Sequence, residues 1–129
     1  MINGCTLKVG CTAVTLTGGS DVVMKDDGVE VPNGIHVVDS SNTNLVTRAS
    51  STFRSRPANA NSGVKGKREI THVRPKIKSN GTISYPLYRG SFEIDAETTA
   101  AELLELKMQA VQHIMDAELD DFFNYGSVR

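Results

Sequence analysis

The stretch Tyr88-Arg89-Gly90-Ser91-Phe92-Glu93-Ile94-Asp95-Ala96-Glu97-Thr98-Thr99-Ala100-Ala101-Glu102-Leu103-Leu104 changes period halfway along. As far as Asp95 the residues alternate: Tyr88, Phe92 and Ile94 fall on one side and Arg89, Ser91 and Glu93 on the other, as in a half-buried strand. Beyond it, Thr99-Ala100-Ala101-Glu102 has the form of a capping box. Ala100, Leu103, Leu104, Met108, Val111, Ile114 and Met115 then recur at helical spacing. The stripe runs on through Leu119, Phe122 and Phe123, with a change of phase that predicts a break near His113 to Asp116 and a second short helix ended by Asn124-Tyr125-Gly126. Strands followed by helices define an α+β chain in which helices cover one face of an antiparallel sheet.

Upstream of this switch the punctuation is that of strands. Ala13 to Thr17 and Asp21 to Lys25, joined by Gly18-Gly19-Ser20, read as an N-terminal β-hairpin over 13–25. Asp26-Asp27-Gly28 interrupts it, Pro32-Asn33-Gly34 makes a second turn, and Ile35-His36-Val37-Val38 opens the main sheet, expected over 35–95. A long strand is expected from Asn44 to Arg56, with Val46, Arg48, Ser50, Thr52 and Arg54 sharing its polar face. Pro57 to Gly63 can only be a loop. The next strand, Lys67 to Lys78, sorts with Val73, Pro75 and Ile77 on one side and Arg68, His72, Arg74 and Lys76 on the other, leaving Ile70 as a misfit among the cations. The helical region is expected over 97–124, and the 129 residues suit one domain, 1–129.

Charge is distributed unevenly. Between Asn44 and Arg89 ten basic residues face Glu69 alone, a local charge of +9, although the whole chain has a net charge of −1. Three neighbouring strands that agree on a cationic face need an anionic partner, and nucleic-acid phosphate is the obvious one. Serines and threonines among the cations add donors and acceptors for ribose and base edges. His72 lies among those cations, whereas His36 and His113 read as structural.

Other functions find little support in the residues. There is no glycine-rich phosphate loop, no nucleophile elbow and no metal-ligand spacing, so neither an enzyme, a cofactor nor a metal is expected. The longest apolar run is Val22-Val23-Met24, which suits neither a membrane span nor a secretory signal. Cys5 and Cys11 suit two free buried thiols better than a cross-strand or intersubunit disulfide. With 39% apolar residues, 5% aromatic residues and no Trp, the chain is lean for a self-sufficient core, and an obligate oligomer is expected.

The order of these elements resembles the coat proteins of the single-stranded RNA bacteriophages, the levivirus group, from about Ala13 to the C-terminus. The resemblance is carried by Gly18-Gly19-Ser20, Asn33-Gly34-Ile35, Lys65-Gly66-Lys67-Arg68-Glu69-Ile70, Arg74-Pro75-Lys76-Ile77 and Ser91-Phe92-Glu93-Ile94-Asp95, taken together with the one-sided charge. It implies an N-terminal hairpin, a five-stranded antiparallel sheet and two helices that reach across a partner, giving an interlocked homodimer. The dimer interface would then be Leu103, Leu104, Met108, Val111, Ile114, Met115, Leu119 and Phe122. It further implies an icosahedral capsid enclosing genomic RNA, assembled in the bacterial host cytoplasm, and a sheet face that binds an RNA stem-loop as translational repressor. The implied RNA contacts are Arg48, Ser50, Thr52 and Arg54; Arg68, His72, Arg74 and Lys76; and Arg89, Ser91 and Glu93. Arg89 stands where relatives often present a stacking tyrosine. Residues 1–12 have no counterpart in the resemblance. From the residues alone, a dimeric RNA-binding regulator that forms no shell is the alternative.

Overall fold

The structure is a computed structural model and describes residues 4–128. Its strands are β1 (Met24–Val31), β2 (Gly34–Asp39), β3 (Ser50–Arg56), β4 (Gly66–Val73), β5 (Lys76–Ile77), β6 (Ile83–Ser84) and β7 (Leu87–Ile94). Helix α1 (Ala100–Met115), a 3-10 turn (Ala117–Leu119) and α2 (Asp120–Tyr125) follow. Five strands form one antiparallel sheet in the order β1-β2-β3-β4-β7, and β5 and β6 make a separate small ribbon. The chain forms two compact units: Gly19–Glu97, which holds the sheet, and the described residues before Gly19 together with those from Thr98 onward.

The leading hairpin is displaced from its expected place. Residues 13–23 form no strand, and the first hairpin is β1 with β2, turning at Pro32 and Asn33. Pro32 presets its own φ, and Asn33, at φ 57°, tolerates the left-handed conformation that such a short turn needs. Gly34 follows because a Cβ there would collide with the carbonyl of Phe53 on β3. Asp26-Asp27-Gly28 does not end a strand. It forms a bulge inside β1, where the register shifts between Asp26 and Glu30. The amides of Gly28 and Val29 donate to the carboxylates of Asp26 and Asp27 at 2.8 and 3.1 Å.

β3 begins at Ser50 and not at Asn44, because residues 45–47 form a turn in which Arg48 N–H donates to the Asn44 carbonyl. β4 ends at Val73, just ahead of Pro75, which has no N–H to contribute to a ladder. Arg74 lies beyond the strand and donates its N–H to the Pro86 carbonyl, and Lys76 belongs to the β5–β6 ribbon. The loop after β3 is closed by an Asn59–Val64 bridge and by the Arg56 and Arg68 side chains, each donating to a backbone carbonyl at 3.0 Å.

In the second unit α1 starts as the capping box requires. Thr99 Oγ1 accepts from Glu102 N at 3.2 Å and donates to the Glu102 carboxylate at 3.0 Å. The helix breaks at Asp116, whose extended backbone ends α1 and whose carboxylate caps the 3-10 turn by accepting from Glu118 N at 2.9 Å. Gly126, at φ 73°, closes α2. Instead of a hairpin, the N-terminal residues run along α1. Gly10 N–H donates to the Glu105 carboxylate at 3.1 Å, Lys8 N–H to the Gln112 side chain at 2.5 Å, and the Gln112 amide to the Thr6 carbonyl at 3.3 Å. Cys5 and Cys11 are free and half-buried.

Among the described residues, the only buried apolar side chains are Val38 and Leu119. No residue of α1 is buried. No described helix is long and apolar enough to cross a membrane.

Candidate nucleic-acid interface

Residues directly opposite one another in an antiparallel ladder point to the same face, so the register fixes which side chains share a surface. Thr52 pairs with Thr71 and Thr71 with Arg89; Arg54 pairs with Glu69 and Glu69 with Ser91; Arg56 pairs with Lys67 and Lys67 with Glu93. Together with Ser50, and with His36 opposite Thr52, they form one polar face. The other face holds Ile35 opposite Phe53, Phe53 opposite Ile70, and Ile70 opposite Gly90, with Tyr88 and Phe92 alongside.

This register divides the expected contacts. Ser50, Thr52 and Arg54 on β3 and Arg89, Ser91 and Glu93 on β7 lie together on the polar face. Arg68 and His72 do not. Arg68 opposes Ser55 and Phe92 on the apolar face, where it closes the loop after β3, and His72 opposes Ser51 and Tyr88. His72 Nδ1 is 2.7 Å from the hydroxyl of Ser51, which is buried. Arg74 and Lys76, outside the five-stranded sheet, are not part of this surface either. The parity of β4 is therefore the reverse of that expected. Val73, Pro75 and Ile77 suggested the wrong apolar side because two of the three lie past the strand end, while Ile70, the misfit, marked the true one.

With the parity corrected, β4 contributes Lys67, Glu69 and Thr71 in place of Arg68 and His72, and β3 adds Arg56. On β3, β4 and β7 the polar face thus holds four cations, Arg54, Arg56, Lys67 and Arg89, against Glu69 and Glu93. Much of the +9 segment lies elsewhere, which leaves a face richer in hydroxyls and less uniformly basic. At its centre is an open depression of about 290 Å³ lined by Thr52, Arg54, Glu69, Thr71 and Arg89. Glu69 is half-buried there, and one of its carboxylate oxygens pairs with Lys67 Nζ at 3.4 Å.

Arg48, in the segment leading into β3, belongs to a second cluster. Asp27, in the bulge of β1, accepts from or pairs with His36 Nδ1 at 2.9 Å and lies 3.9 Å from the Arg48 guanidinium. The hydrogen bond to His36 is the main reason its carboxyl is held below the ordinary aspartate range. His36, expected to be structural, faces the polar surface.

The expected dimer residues also divide. Leu119 is buried within its own chain, at 7% exposure. Met108, Val111 and Met115 line a cavity of about 360 Å³ with Cys11, Val14 and Leu16 of the N-terminal segment. Leu103 and Leu104 are half-buried, whereas Ile114 and Phe122 are exposed.

A bulged hairpin leading a five-stranded antiparallel sheet, followed in the chain by two helices and carrying a polar face opposite an exposed apolar one, is the architecture of a capsid-type subunit. The solved structures agree. The virus-like particle of bacteriophage GQ-907 is 32% identical in sequence, and the match covers 100% of both chains with a TM-score of 0.91. The virus-like particle of bacteriophage AVE019 matches 92% of this chain and 97% of its own at 15% identity and a TM-score of 0.68. That of Beihai levi-like virus 21 matches 89% and 93% at 13% identity and a TM-score of 0.62. At these identities the latter two speak for the fold alone. Neither a protein-family model nor a curated protein matches the chain. The chain belongs to the levivirus coat-protein family. It is a capsid protein and a virion component, which decides against the shell-free regulator.

Proposed function

We propose that the subunit works as an interlocked homodimer whose shell packages single-stranded RNA against the polar sheet face, and that the same face binds an RNA stem-loop as translational repressor. The observation that carries this reading is the register of β3, β4 and β7, which gathers Ser50, Thr52, Arg54, Arg56, Lys67, Thr71, Arg89 and Ser91 on one surface. Guanidinium and ammonium groups neutralise phosphate, and the interleaved hydroxyls reach ribose and base edges. The dimer is supported from the other side of the sheet. Ile35, Phe53, Ile70 and Tyr88 are between 37% and 50% exposed, and Ile114 and Phe122 in the helical unit are also exposed. Covering such surfaces with a second copy contributes about 25 cal/mol per Å² of apolar area, which supplies what Val38 and Leu119, the buried apolar residues among those described, cannot. The two compact units of one chain thus act as a single coat domain, assembled in the host cytoplasm around its genome in an icosahedral shell. No catalytic step enters this role.

The test is the content of purified particles. They are expected to carry host RNA, read from absorbance at the nucleic-acid maximum and from RNA extracted after protease treatment. Assembled particles free of nucleic acid would overturn the role of the polar face, and folded monomers at micromolar concentration would overturn the interlocked dimer.

A further inference from the structure

We infer that Asp27, His36 and Arg48, at the β1–β2 margin of the polar face, form a separate binding site for backbone phosphate, one that engages RNA when His36 is protonated. This rests on the reading that the polar face binds RNA, and adds to it a site away from β4 and β7 whose charge changes near neutral pH. One carboxylate oxygen, Asp27 Oδ2, serves both partners: His36 Nδ1 lies 2.9 Å from it and the Arg48 guanidinium 3.9 Å from it. Asp27 Oδ1 accepts from the Val29 N–H at 3.1 Å. The carboxylate is the covered member, at 11% exposure, while the His36 and Arg48 side chains reach the surface at 24% and 23%.

The Asp27 carboxylate can only accept, so Nδ1 carries the proton of the neutral ring and Nε2 is left as a bare acceptor. A phosphate oxygen, itself an acceptor, gains nothing there. With Asp27 opposing Arg48, the neutral cluster has no net charge either. A second proton on Nε2 turns that atom into a donor and gives the cluster one net positive charge, so that imidazolium and guanidinium meet one phosphate together. The carboxylate then holds the imidazolium, and Arg48, its more distant partner, is the cation released to the RNA.

The surroundings of His36 keep this change local. It faces Asp27 from β1, Thr52 from β3 and Arg48 from the segment leading into β3; Lys25, opposite Val38, and Arg54, two residues past Thr52, are further cations on that face. Of these side-chain types histidine alone ordinarily changes charge between about pH 5 and pH 8. Asp27, held below the ordinary aspartate range mainly by the His36 hydrogen bond, stays ionised through that range. His72 lies on the opposite face of the sheet and His113 in α1.

The test is filter binding of one RNA hairpin to the full chain at about pH 5.5 and about pH 7.5, each over a range of salt concentrations. From the higher to the lower pH, wild-type affinity at low salt should rise about fivefold, and the salt slope should steepen by about one phosphate contact. His36→Gln should lose both changes, His72→Gln should keep them, and His36→Lys, permanently charged, should lose the rise by binding tightly at both pH values. Asp27→Asn should tighten binding at the higher pH, since Arg48 then has no counter-charge. Circular dichroism and particle formation check that each variant folds, and should His36→Gln fail to fold, His36→Lys carries the same comparison. A wild type that binds RNA equally at both pH values, or a rise that persists in His36→Gln or His36→Lys, overturns the proton-dependent site and leaves the polar face standing. A wild type that binds no RNA at either pH overturns the polar face and this site with it.

Discussion

On β2, β3, β4 and β7, alternate residues of the same strands build two surfaces with opposite needs. One presents His36, Thr52, Arg54, Lys67, Thr71 and Arg89; the other presents Ile35, Phe53, Ile70 and Tyr88. Polar and charged side chains are comfortable in water and wait for an anion, whereas contiguous exposed apolar residues are not and need a cover. Substitutions at neighbouring positions should therefore fail in different ways: on the apolar face by loss of assembly, on the polar face by loss of RNA alone.

The largest effect is expected at Phe53→Asp. If, as proposed, a second copy covers this surface, an unpaired carboxylate there costs several kcal/mol, about 3 or more, in a subunit with little other core. Size exclusion and circular dichroism should find no soluble dimer. A folded dimer of this variant would mean that the apolar face is not covered by a partner.

Thr52→Val, one residue away and on the other face, should leave dimer and shell intact. It should reduce the preference for a cognate over a scrambled hairpin by about 1 kcal/mol, read in a gel-shift titration at two salt concentrations. Equal loss for both RNAs would make the polar face only an electrostatic liner.

A smaller effect concerns Asp27. Its carboxyl titrates below the ordinary value of 3.8, mainly because of the hydrogen bond to His36. The group therefore contributes stability that is fully present above that value and is lost as pH falls through the lower folded value. Asp27→Asn should flatten the acid limb of the melting temperature below about pH 4, with little change near neutrality. An unchanged acid limb would mean that the bulge is not tied to β2 through this pair.

Much of this contrast was legible in the sequence because period and punctuation are local. The switch at Asp95, the capping box at Thr99 and the break at Asp116 all appear as expected. So does the polar side of β3 and β7. The parity of β4 was not legible, because one residue of uncertainty about where a strand ends reverses every side chain in it. Ile70 carried the signal, since an isolated apolar residue among cations is easier to explain as the inward-facing member of a shifted register than as an exception. The N-terminal segment was misread for a different reason. Ala13 to Lys25 has the alternation of a hairpin, but hydrogen bonds from Lys8 and Gly10 to Gln112 and Glu105 tie the preceding residues to α1, a tertiary preference that no local pattern records. Lys67, Glu69 and Thr71 were missed as members of the polar face along with that parity.

Lys67 and Arg68 provide the most direct test, because they are adjacent in sequence, both cationic, and on opposite faces of the sheet. Hairpin binding should be measured across a range of salt concentrations for wild type, Lys67→Ala and Arg68→Ala. Lys67→Ala is expected to weaken binding to every hairpin and to lower the salt dependence by about one phosphate contact. Arg68→Ala is expected to leave affinity and salt slope at the wild-type values, its loss being felt in the stability of the loop after β3. If Arg68→Ala reduces the salt slope as much as Lys67→Ala or more, the surface formed by Thr52, Arg54, Lys67, Glu69, Thr71 and Arg89 is not the one that meets RNA.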